Sequence, residues 1–408
     1  MKHHHRDACA TCGSRDLAEI VDLGMHPLAD TFVPEARRYE GDRIYPLICD
    51  LCSKCGQVQL RVITDPDERY SHFDYSYTSS NSAFSRNHWN KYAREVSTAV
   101  GLPANARIVE IGSNDGYLSQ QFNELGFRAS GVDPSSAMCA LAKERHVESK
   151  NALFTASFAR SLAAELGERP SLIVANNVVN HANDPLDFAR GIRDLLAEDG
   201  TFVFELPYWL RTIAERKFDQ IYHEHVSYFT ARFAQSLFRA VGMVVTHVEE
   251  VNYHGGSIRA YVRQSGAPDA TVAAMIQQEE SAGLFEAASY ATFMKRLRAS
   301  RDRFMQRVFE LKSNGERIVC VGAAAKANTF MKYYNLDASI VDWVTDASPS
   351  KIGKYTPSTR IPIASDDILA TYQKVYAIIT SWNLAEGLKT ALLAINPRVE
   401  FLNPYEVL

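Results

Sequence analysis

From about residue 100 the chain alternates between two rhythms of apolar and polar residues. Short runs rich in β-branched residues, "RIVEI", "SGVD", "SLIVAN" and "TFVFELP", read as successive strands. Between them, "SAMCALAKERH" and "DFARGIRDLLAEDG" carry apolar residues at helical spacing. Strand and helix in alternation predict a parallel sheet covered on both faces. Between 280 and 312, Tyr290, Phe293, Leu297, Phe304, Val308 and Leu311 recur at three- and four-residue steps, which predicts one long amphipathic helix connecting two domains. A second α/β unit starts at "ERIVCVGAAAKANTF" and continues through "IVDWVTD" and "KVYAIITSWN", each an apolar strand ending in polar residues. Residues 1 to about 70 follow neither rhythm and are rich in turns and cysteines.

Composition narrows the class. A chain of 408 residues can hold two or three domains, each with its own core. The formal net charge of -4 argues against broad electrostatic binding to nucleic acid, which needs a basic face. No apolar run reaches the roughly twenty residues of a membrane span. The start, "MKHHHRD", lacks the apolar segment of a signal peptide, and its histidines are left out of the metal argument. Of seven cysteines, five precede Gly56, which points to a metal site in a reducing cytoplasm rather than to disulfides. Cys9 and Cys12 form one CxxC pair and Cys52 and Cys55 another, each followed by a glycine, Gly13 and Gly56. Two such knuckles supply the four thiolates of a tetrahedral zinc site. A closed set of this kind leaves no open position for chemistry, so the zinc is expected to be structural. Cys49, at CxxCxxC spacing, is expected to be a spare buried thiol. The expected fold class is therefore α/β in three parts: a small zinc-binding domain over 1–70, a Rossmann-like domain over 71–265, and a linker helix with a Rossmann-like domain over 266–408.

Chemistry concentrates in four places. In "VEIGSNDGYL" a glycine loop follows a strand and opens a helix, with Glu110, Gly112, Asn114 and Gly116 as its marked positions. A pyrophosphate fingerprint would carry glycine where Asn114 stands. S-adenosylmethionine, which has no phosphate, suits the loop better, with Asp133 about twenty residues on placed for ribose hydroxyls. Asp133 also reads as a helix N-cap, because "DPSS" can start a helix. Asn176, Asn177 and His181 follow the "SLIVAN" strand. "FDQIYHEHVSYF" packs His223, Glu224 and His225 among Tyr222, Tyr228 and Phe229, the mixture of a closed reaction pocket. In an extended segment His223 and His225 share a face and can bind a metal; in a helical one His225 pairs with Tyr222. In the last unit Ala323 to Ala325 permit close approach of a ligand, and Lys326 or Thr329 can meet a diphosphate, with Asp346 and Ser381 ending later strands. The "HGGS" turn at His254 is placed to face the same pocket.

Taken in order, the paired CxxC, "DLGMHPLADTF", "YSYTSSNSAFSRNHW", "VEIGSNDGYL", "NNVVNHANDP", "FDQIYHEHVSYF", "HGGSIRAY" and "GAAAKANTF" resemble the S-adenosylmethionine-dependent sugar C-methyltransferases. Those enzymes act at C3 of nucleotide-linked 4-keto-deoxysugars, and the likeness covers nearly the whole chain. It implies a nucleotide-diphosphate sugar as substrate, a zinc domain, a central methyl-transfer domain, and a C-terminal domain that helps to hold the nucleotide sugar. The family's catalytic tyrosine falls on Tyr75, with Tyr77 beside it, its histidine on His181, and its [YF]xEH signature on Tyr222, Glu224 and His225. Carbon methylation needs a carbanion equivalent, so a base must remove the C3 proton while the enolate oxygen is stabilised. His225 is the expected base, Glu224 or Tyr222 the group that orients it or the sugar, and Tyr75 or His181 the donor to the oxyanion. Two other functions compete: methylation of a small molecule at oxygen or nitrogen, and a zinc-ribbon nucleic-acid binder carrying a methyltransferase fold. The second needs basic residues near the cysteines, and "CDLCSKCGQVQL" offers one lysine.

Overall fold

A computed structural model describes residues 3–66, 69 and 78–404. Its largest sheet has seven strands, in the order Val244–Val251, Ser257–Arg263, Thr201–Pro207, Leu172–Asn176, Arg107–Ile111, Arg128–Asp133 and Ser149–Asn151. The last five are parallel, and the first two form an antiparallel hairpin at the edge beside Thr201–Pro207. Leu172 to Ala175 and Phe202 to Phe204 are fully buried, as expected of strands covered on both faces. A second, all-parallel sheet of five strands contains Ile363–Ala364, Trp343–Thr345, Ile318–Val321, Val375–Ile379 and Val399–Leu402. The protein is thus α/β, with two Rossmann-like units behind a cysteine-rich N-terminal part.

That N-terminal part is sewn into the rest. Its antiparallel sheet of Leu17–Pro27, Ile44–Cys52 and Val58–Leu60 gains a fourth strand, Ser227–Tyr228, from within the aromatic histidine segment. A short ribbon pairs Val33–Pro34 with Lys354–Tyr355 of the C-terminal unit.

The connector differs from the sequence expectation in one respect. All six expected apolar positions are buried, but the helix runs Ala287–Ser313 and a separate helix, Ala270–Ser281, precedes it. The break falls at Gly283, which takes φ +69, and a side chain there would meet Ser289 Oγ at 2.4 Å.

Candidate active site

The segment around the two histidines is a tight turn, because the His225 amide donates to the Tyr222 carbonyl at 2.9 Å. The helical alternative therefore holds: the Tyr222 and His225 rings lie 4.0 Å apart. His225 Nδ1 is 2.8 Å from the Gln220 carbonyl, so that nitrogen carries the proton. Nε2 then presents a lone pair, 2.8 Å from the Tyr222 hydroxyl, which donates to it. Burial pushes the His225 pKa down to about 4, keeping the ring neutral. The His181 ring lies 5.0 Å away, and burial first, then His225, holds its pKa well below the usual value. His223 points elsewhere, with Nε2 3.3 Å from the Pro46 carbonyl and its ring against Tyr45. The shared face of an extended segment does not form, and among the described residues the cysteines are the one group set to hold a metal. Glu224 is buried and faces Asp30 and Arg69; burial raises its pKa to about 7, and it is Tyr222 that bonds the imidazole. Tyr75 and Tyr77 lie outside the described residues.

The glycine loop stands at the carboxyl end of the central sheet. Gly112 takes φ +68, and a side chain on it would meet Val178 Cγ2 at 2.3 Å. Val178 leads straight into the single turn Val179–His181, so the loop packs against the segment that carries His181. Asp133 accepts the Asn114 amide through Oδ2 and the Ser135 amide through Oδ1, each at 2.8 Å. Ser135, rather than Asp133, is the N-cap of the helix Ser136–Glu144. Glu110 Oε2 accepts from the Ser119 amide at 3.0 Å and its hydroxyl at 2.6 Å, and burial raises its pKa to about 8. Asn114 Oδ1 accepts the Ser79 amide, and Gly116 precedes the helix Tyr117–Glu124. Asn177 takes φ +55 while its amide bonds the Glu205 carbonyl, and Asn176 ends the strand beside Tyr92.

In the C-terminal unit, Lys326 bonds Asn383 and sits 3.8 Å above the Trp382 ring; burial lowers its pKa to about 8. Thr329 is buried on the same helix, Ala325–Tyr333, and Ser381 adjoins Trp382. His254 takes φ +48 and its carbonyl accepts from Gln220 Nε2 at 3.0 Å, so the "HGGS" turn reaches the residue whose own carbonyl holds His225. Sequence reasoning passed over Gln220, Asp219 and Trp382. Trp382 Nε1 donates to Asp219 at 2.7 Å, joining the C-terminal unit to the turn before the histidines. Asp219 and Gln220 stood within the "FDQ" of the quoted segment, but no local rule gives them partners so far along the chain.

Cys9, Cys12, Cys52 and Cys55 converge, with their sulfurs all within 4.8 Å of one another. Zn–S bonds of about 2.3 Å in a tetrahedron put sulfurs about 3.8 Å apart, so the four residues fit a structural zinc ion. Cys49 stays outside the cluster as a fully buried thiol.

Comparison with known proteins agrees with this arrangement. Family models match a zinc binding domain at 9–70, a methyltransferase domain at 84–248 and a C-methyltransferase C-terminal domain at 252–398. The chain is 30% identical over 382 residues to the C-methyltransferase NovU of Streptomyces niveus, covering 93% of this chain and 90% of that one. It is 29% identical to a ubiquinone biosynthesis O-methyltransferase of Ruegeria pomeroyi over only 97 residues, 24% of this chain and 39% of the relative. The glycopeptide N-methyltransferase MtfA with bound S-adenosylmethionine overlays 48% of this chain and 98% of its own, at 12% identity and a TM-score of 0.35. The chain is an S-adenosylmethionine-dependent methyltransferase with a structural zinc site, and it belongs to the C-methyltransferase family that includes NovU.

Proposed function

We propose that the protein methylates C3 of a nucleotide-linked 4-keto-deoxysugar through an enolate, with His225 as the base. The observation that carries this reading is the fixed tautomer of His225. Its Nδ1–H is tied to the Gln220 carbonyl, so the only basic atom is Nε2, on the side of Tyr222 and His181. A C–H proton next to a ketone needs such a base; a hydroxyl also gives up its proton on methylation, so exchange of a carbon-bound proton is what separates the two routes. Tyr222 orients the imidazole, and as Nε2 takes the proton its hydroxyl turns toward the sugar. His181, kept neutral by burial, donates to the growing enolate oxygen, a role Tyr75 or Tyr77 shares. S-adenosylmethionine supplies the electrophilic methyl group. Gly112, Gly116, Asn114, Asp133, Asn176 and Asn177 form its cradle, and Glu110 braces the helix behind it. Lys326, Thr329, Ser381 and His254 hold the diphosphate and the sugar.

Incubating the enzyme in deuterated water with a panel of 4-keto nucleotide sugars tests the route. Exchange at C3 is expected, with His225→Ala slowing it roughly a hundred- to ten-thousand-fold while cofactor binding persists. Normal exchange and methylation in that variant would remove His225 as the base.

A further inference from the structure

Gln57 and Gln59 are both 0% exposed, unusual for a side chain with four hydrogen-bonding sites. Buried amides are costly unless their partners are fixed, so what they bond matters. Gln59 accepts the Ala10 amide at 2.9 Å and donates to the Ala8 carbonyl at 3.1 Å, clasping the first zinc knuckle. Gln57 Oε1 accepts the Thr11 amide at 3.2 Å, a bond that survives when metal takes the Cys9 sulfur. Its Nε2 turns the other way and donates to Ser227 Oγ at 3.1 Å. Ser227 is buried, two residues after His225, and pairs with Gln59 in the sheet. Between them, Val226 accepts the Leu60 amide through its carbonyl at 3.0 Å and gives its own amide to Asn180, next to His181.

We propose that Gln57 is a positioning residue for methyl transfer, fastening the segment that carries His225 to the zinc knuckle through Ser227. The metal site thereby sets where the base stands. This rests on the reading of His225 as the base. A side chain serving the knuckle alone would need only its Oε1; the Nε2 bond to Ser227 reaches the segment that carries His225 instead.

A double-mutant cycle of Gln57→Ala and Ser227→Ala, made in the full zinc-loaded enzyme, tests it. Ser227→Ala touches no knuckle atom, so it should keep one zinc per chain and wild-type cofactor affinity. It should slow C3 exchange and kcat about tenfold, within the range by which groups supporting a first ligand shell act, with KM little changed. Amide hydrogen exchange at Val226 to Tyr228 should quicken in both variants, and the double mutant should be no slower in catalysis than the slower single. Multiplying effects, unchanged kcat in Ser227→Ala, or unchanged amide exchange would each overturn the proposal. If Gln57→Ala loses zinc, Ser227→Ala decides alone. If the wild type shows no exchange dependent on His225, the parent reading fails, and the amide measurement still tests the coupling by itself.

Discussion

The two Rossmann-like units turn the same corner. Gly112 donates its amide to the Val132 carbonyl and Gly322 to the Thr345 carbonyl, both at 2.7 Å. In each, an aspartate at the end of the next strand or just beyond it accepts a loop amide on one oxygen and the amide two residues on with the other: Asp133 from Asn114 and Ser135, Asp346 from Ala323 and Ser348. What differs is the charge placed around the corner. Two residues before Gly112 stands Glu110, whereas two before Gly322 stands Cys320, a thiol that burial pushes up to about 12. The central loop holds buried Glu110, Asp115 and Asp133, with Arg145 bonded to Asp115. The C-terminal loop leads into Lys326, with Lys217 over the same tryptophan ring. One backbone device is therefore set among different side chains, carboxyl groups at the central corner and lysines at the C-terminal one. Carboxyl groups suit a ligand with ribose hydroxyls, and a lysine-bearing rim suits a diphosphate.

The largest expected effect comes from blocking the corners one at a time. Gly112→Ala forces a side chain against Val178 in a left-handed conformation, and Gly322→Ala drives one against Ser381 Oγ at 2.0 Å. Each should cost about 2–4 kcal/mol in strain and crowding. In calorimetric titration Gly112→Ala should lose S-adenosylmethionine affinity and Gly322→Ala nucleotide-diphosphate affinity. Loss of both ligands in either variant would mean that the corners are scaffold rather than two separate sites.

Next in size is the lysine. Removing its charge in Lys326→Met should weaken nucleotide-diphosphate binding about ten- to a hundred-fold, as expected of a partly desolvated charge pair, and leave the cofactor untouched. The pH dependence follows from burial lowering Lys326 to about 8. The ammonium is present below that value and lost above it, so diphosphate affinity should hold up to about pH 8 and fall beyond. The folded protein then binds fewer protons than the unfolded one between about 8 and the usual lysine value of 10.5, so this group makes stability rise with pH in that window. Titrations from pH 6.5 to 9.5 on wild type and Lys326→Met check both; a slope that persists in the variant would assign it to another group.

Some of this division was legible in the chain and some was not. The strand runs, the cysteine knuckles and the glycine corners were readable because each is a local pattern whose physics is complete within a few residues. The pairing of Ser227–Tyr228 with Val58–Leu60 was not, since a two-residue strand has no periodicity and its partner lies far back in the sequence. Trp382 and Asp219 escaped for the same reason: a buried indole donor finds its acceptor only after the C-terminal unit docks. Glu110 was noticed as an acid at a strand end, yet only the structure shows its carboxylate turned toward Ser119.

That placement yields the smallest predicted effect. Glu110→Gln keeps an oxygen that can accept from both the Ser119 amide and hydroxyl, so the helix Tyr117–Glu124 should stay braced. Burial raises Glu110 from its usual 4.5 to about 8, so near pH 7 the folded protein holds a proton there that the unfolded chain has released. Stability from this group is therefore present below about 4.5 and declines as pH climbs toward 8. Glutamine removes the titration, and unfolding midpoints of the variant should vary less than those of wild type across that window. Cofactor affinity should change by less than about tenfold, the 1.4 kcal/mol scale of one altered buried hydrogen bond. A larger loss would mean that the Glu110 carboxyl group turns to the cofactor when it binds and contacts it directly.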